Sequence, residues 1–122
     1  MQSKKYNPIA RTMNIEEFRE YCLSKKNVTE CFPFDNVTLV FKVMGKMFAL
    51  TNTDGEFTIN IKCDPEKAID LREHYASVMP GYHMDKKHWN TVVMDGLISD
   101  ELLKEWITDS YDLVVSKLPK KR

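Results

Sequence analysis

Long apolar runs are absent from this chain of 122 residues. No window approaches the roughly 18 uninterrupted apolar residues of a membrane span, and the amino terminus lacks a hydrophobic signal core. These absences predict a soluble, cytoplasmic protein that makes no membrane contact. Cysteine is sparse as well. Cys22, Cys31 and Cys63 are odd in number and far apart, with no C-x-x-C pair, so no zinc site or redox dithiol is predicted. Buried or idle thiols in a reducing compartment fit better. There is no Gly-rich phosphate loop and no G-x-S-x-G elbow. A meeting of Cys31 with His83 or His88 is not something their spacing can vouch for. The expectation is a non-enzyme without a cofactor.

What is present is enough apolar material for a core: hydrophobic residues make up 43% of the chain, which suffices at this length. With no repeat and no internal linker, one domain over 1–122 is expected, with an ordered core at about 14–118 between short basic tails. The formal net charge of zero is unevenly spread. Lys4, Lys5 and Arg11 sit at one end, and Lys117, Lys120, Lys121 and Arg122 at the other. All 18 acidic residues lie between Thr12 and Val115 beside 11 Lys and Arg, so the body carries −7. A body this acidic repels polyanions in general, and nucleic-acid contact would need a local basic patch or the tails.

Periodicity gives the elements. Asn14 as N-cap, Glu16 and Glu17 in the first turn, and Ile15, Phe18, Cys22 and Leu23 at helical spacing predict a helix over about 15–25. Phe32-Pro33-Phe34 is extended. Val37 to Val43 alternates as a strand, Gly45-Lys46 reverses the chain into 46–51, and Asn52 to Gly55 turns it into a third strand over 57–63. This meander is expected to be apolar on one face only, with the other in water. Asp64-Pro65-Glu66 opens a helix with Ala68, Leu71, Arg72 and Tyr75 inward, which Pro80-Gly81 is expected to stop. A strand over 88–94 and a helix capped by Ser99 and running to about Lys117 complete the chain. Helices gathered on one face of an antiparallel sheet make a two-layer α+β sandwich.

Between Pro80 and Thr91 the chain concentrates two of its three histidines, one of two tryptophans, a tyrosine and a Lys-Lys pair. Lys86 and Lys87 suit phosphates, Asn90 and Thr91 can hydrogen-bond, and Tyr82 or Trp89 can stack on a base. His83 and His88 would make such a contact sensitive to pH near 6.5. The same residues also read as a structural turn with core aromatics and solvated lysines. A second candidate surface is the outer sheet face, where Thr38 and Lys42 lie beside Thr58, Asn60 and Lys62; a solvated face has the same pattern. His83, Asp85 and His88, with His74, have no zinc-ligand spacing, and the adjacent lysines oppose a cation. No metal site is expected. Glu16, Glu17 and Glu20 read as a solvated helix face.

Phe32-Pro33-Phe34 with the hairpin after it, Lys62-Cys63-Asp64-Pro65, Pro80-Gly81-Tyr82-His83-Met84, Lys87-His88-Trp89-Asn90-Thr91 and Ser110-Tyr111-Asp112-Leu113-Val114 together resemble the YjbR/MmcQ family of small bacterial proteins, over about residues 14–119. The resemblance implies a compact α+β fold like that of frataxin (CyaY-like) and a DNA-binding label, with no catalytic residue to carry over. The expectation is a monomeric binding module whose candidate contacts are Tyr82, His83, Lys86, Lys87, His88, Trp89, Asn90, Lys42 and Lys62. DNA is the expected partner. The alternative is a small anionic ligand or a protein or peptide at the same region.

Overall fold

The computed structural model describes residues 13–119; the tail charges Lys4, Lys5, Arg11, Lys120, Lys121 and Arg122 lie outside them. Helix α1 spans Ile15–Leu23 and begins at a reciprocal cap. The Asn14 side chain accepts from the Glu17 N–H at 2.8 Å, while the Glu17 carboxylate accepts from the Asn14 N–H at 3.0 Å. Just before it, Met13 is buried and donates its N–H to Asp100 Oδ1 at 2.8 Å.

Six strands follow: β1 Val28–Cys31, β2 Thr38–Val43, β3 Lys46–Asn52, β4 Thr58–Lys62, β5 Val78–Pro80 and β6 Trp89–Val93. They form one sheet in the order β1-β2-β3-β4-β6-β5, with every neighbouring pair antiparallel. Helix α2 spans Pro65–His74 between β4 and β5, and α3 spans Asp100–Ser116 after β6. Ser99 caps α3 by accepting from the Leu102 N–H. The two-layer α+β architecture is therefore as the periodicity predicts, with two strands more than it gave.

The additional strands come from short segments. β1 was expected only as extended chain near Pro33, yet it pairs with β2 from Val28↔Val43 to Cys31↔Val40. α2 stops well before Pro80: Tyr75 turns extended (φ −128°, ψ 116°), and 78–80 pairs with β6 as an edge strand. Pro80 is tolerated there because an edge strand needs fewer ladder donors.

One core lies between the helices and the sheet. Phe18 meets Phe41 edge-on with ring centroids 5.5 Å apart, and Phe48, Ile59, Ile107 and Trp106 fill the same layer. The β2–β3 ladder slips between Phe41↔Ala49 and Lys42↔Met47, leaving Phe48 as the extra residue of a bulge. The bulge lets Phe48 and Ala49 both reach the core, while Met47 turns to the other face.

That other face is not wholly in water as expected. Val40, Leu50 and Trp89 are buried there, with Cys31, Met47 and Met84 packed against them. The physical reason is Trp89 at the start of β6 together with Met84 from the loop before it, which pack against strand residues that plain alternation assigns to solvent.

Candidate nucleic-acid interface

The antiparallel register brings one end of β2, β3, β4 and β6 together, because Val43 pairs with Lys46, Ala49 with Ile61, and Lys62 with Trp89. At that end Lys42, Lys46, Lys62 and Lys117 surround an open groove of about 560 Å³, with Phe34, Met47 and Trp89 as its apolar surface. Pro33, Gly45, Val114 and Leu118 complete the lining, so no carboxylate lines it. Among the described residues none of the four lysine side chains makes a hydrogen bond or ion pair. Lys117 stands at the C-cap of α3, where the helix dipole offsets part of its charge, so the three strand lysines dominate the local field.

Charge separates by layer. The three helices hold eleven Asp and Glu against four Lys and Arg, a formal −7. The strands hold three lysines against a single acid, Glu30, which Arg19 clamps through two contacts of 2.7 and 2.5 Å. That clamp holds the Glu30 carboxyl below its ordinary range. The groove is thus a basic exception on an acidic body.

Phe34 is the free ring of the groove, 63% exposed. Its loop is fixed by Asp35, whose carboxylate accepts from the N–H groups of Val37 (3.0 Å) and Thr38 (2.7 Å) and from the Thr38 hydroxyl (3.1 Å). The two backbone bonds hold the Asp35 carboxyl below the usual carboxylate range.

The expected contact residues divide. Lys42, Lys62 and Trp89 come together in the groove, although Trp89 is only 6% exposed and forms floor more than stacking platform. Asn90 has to be withdrawn as a contact residue: it is buried on the helix side, accepts from Arg72 Nε at 2.7 Å and donates to the Ala68 carbonyl at 3.3 Å. Arg72 also reaches the Lys86 carbonyl and ties the loop to α2. Lys86 donates to the Gly81 carbonyl at 2.8 Å, which commits its ammonium to closing the loop. His88 pairs with Asp85 at 2.7 Å, and this bond, ahead of the Lys87 N–H, holds the Asp85 carboxyl down. Tyr82 and His83 are exposed with their rings in contact, centroids 4.0 Å apart and planes tilted by 50°, and Lys87 is exposed. His74 lies against Asp70 on α2. Among the described residues no three of His, Cys, Asp or Glu are gathered as for a metal.

Lys46, Lys117 and Phe34 are the groove residues that sequence reasoning missed as contacts. Lys46 follows the hairpin turn, Lys117 lies just past a helix end, and Phe34 sits in an irregular loop. Only the alternation that set Lys42 and Lys62 on one face pointed here. Among the described residues no helix is long and apolar enough to cross a membrane.

Comparison with known proteins places this architecture in a family. The YjbR family model matches residues 23–113. The Escherichia coli O157:H7 protein YbdF is 41% identical over 107 residues, covering 87% of this chain and 88% of YbdF. YjbR of Escherichia coli strain K12 is 30% identical over 111 residues, covering 90% and 94%. The crystal structure of Deinococcus radiodurans protein DR2400 superposes with a TM-score of 0.82 at 42% identity, over 90% of this chain and 84% of that one. A Pseudomonas syringae crystal structure gives a TM-score of 0.71 at 28% identity, over 83% and 98%. With the family model matching most of its length and relatives aligned over nearly all of it, the chain belongs to the YjbR family.

Proposed function

We propose that this protein is a binding module for single-stranded nucleic acid, which it engages through the groove at the end of the sheet. The observation that carries the reading is the convergence of four unpaired lysines and an exposed phenylalanine in a groove without a carboxylate, on a body that is otherwise acidic. Lysine ammoniums track a phosphate backbone, and a solvent-exposed ring offers a base a stacking surface worth about 1–3 kcal/mol. The acidic helix layer turns the strand toward the groove by repelling it elsewhere.

The groove volume of about 560 Å³ favours one second reading, a nucleotide-sized anion, since small-molecule sites run to roughly 300–1,000 Å³. Fluorescence anisotropy of a labelled oligo-dT separates the possibilities. The Lys42→Ala/Lys46→Ala/Lys62→Ala variant is expected to weaken binding at least tenfold while leaving measurable binding at low salt, Phe34→Ala to weaken it at least fivefold, and Lys86→Ala/Lys87→Ala to leave it within twofold. Full binding by the triple variant removes the groove from the account. Binding of nucleoside phosphates but of no oligonucleotide supports the small-anion reading instead.

A further inference from the structure

Beneath α2 and α3 a second space is built quite differently. Ile61, Leu71, Val78, Val92, Trp106 and Leu113 give a cavity of about 240 Å³ its apolar wall, and Lys62, Cys63, Asp64, Lys67, Asn90 and Asp109 complete the lining. An apolar cavity of about 150 Å³ already holds a benzene ring and stays dry when empty, so this one has room for a ring and a short chain. Its walls regain lost dispersion contacts only when an apolar guest enters. Asp109 makes neither a hydrogen bond nor a salt bridge among the described residues. Burial first, with Glu105 and Asp112 adding to it and Lys67 opposing, pushes its carboxyl above the ordinary range. Lys62 and Lys67 balance Asp64 and Asp109 in the lining, so the preference for a cation rests on the unpaired Asp109 carboxylate and on the net negative helix layer around it.

We infer that this cavity is a site for a small aromatic amine, its ring held between Leu71, Val92 and Trp106 and its ammonium facing Asp109. The cavity shares Lys62 with the lining of the groove, but the inference does not rest on nucleic-acid binding. Phenethylamine, 2-phenylethanol and 3-phenylpropionate are titrated into the full chain at low salt and followed by NMR. The amine is expected to shift the Val78, Val92 and Trp106 resonances and to bind about fivefold more tightly than the acid, as befits an exposed charge. Leu113→Trp, a partly exposed position that needs no core repacking, is expected to block entry while the protein remains folded. Asp109→Asn should keep the ring site and abolish the amine's advantage. No shift of the cavity resonances at millimolar amine, unchanged binding in Leu113→Trp, or equal affinity for amine and acid each overturns the inference.

Discussion

At the scale of single residues, Gly81 shows how closely the loop before β6 is fitted to the sheet. A Cβ placed there would lie 2.8 Å from the Trp89 Cβ and 3.0 Å from both the Met84 Cβ and the Trp89 carbonyl oxygen. Two of the three atoms belong to the side chains that cover the second sheet face. Gly81→Ala is therefore expected to destabilise the protein by about 2 kcal/mol, the usual scale of overpacking, as urea unfolding would report. Asp35 gives a prediction in pH. Its folded-state carboxyl is held low by backbone donors, so its contribution is present above the unfolded value of about 3.9 and is lost as pH falls through the folded one. Below about pH 4 the Phe34 resonances should broaden as the loop loosens; in Asp35→Ala, which removes the acceptor, the loosening should already be present at neutral pH. Unchanged Phe34 signals down to pH 2.5 would mean that other contacts hold the loop.

At the scale of elements, the β2–β3 hairpin turns through two residues of positive φ, Met44 (51°) and Gly45 (82°), between the paired Val43 and Lys46. Two positive φ values are the pattern of a type I′ turn, where asparagine suits the first position and methionine does not. Met44 is 57% exposed, so burial does not repay the strain. Met44→Asn should raise stability by about 0.5 kcal/mol, or roughly 3 °C in Tm, by calorimetry. A fall in Tm would show that the methionine makes contacts of its own at the groove's edge. The same comparison of elements shows what was legible in the sequence. α1 and α3 were readable because capping side chains and a sustained helical period agree. β2 and β4 were readable because alternation is strong, and β3 because turn signals bound it on both sides. β1 and β5, with four and three residues, are too short for alternation to register. The Phe48 bulge inverts the alternation it interrupts, so no pattern could have announced it.

At the scale of the whole molecule, charge separation between helix layer and sheet is what makes the groove a candidate site. The sequence showed the acidic body and placed Lys42 and Lys62 on one face, but it drew attention to the dense Pro80–Thr91 stretch. The structure divides that stretch: Trp89 packs inward, Asn90, Lys86 and His88 are bound within the fold, and Tyr82, His83 and Lys87 remain exposed. Polar density in sequence here reflects a loop that satisfies itself, while the unpaired charges come from four separate places in the chain. Only folding assembles those.

The most direct measurement is the salt dependence of oligo-dT binding by the intact chain and by the Lys42→Ala/Lys46→Ala/Lys62→Ala variant. Neutralising one phosphate per groove lysine predicts a slope of log K against log salt of about −2 to −3, since each single-strand phosphate contributes about −0.7. In the variant the slope should fall to about −1. A slope near zero in the intact chain, or the same slope in both proteins, would contradict a nucleic-acid site in this groove.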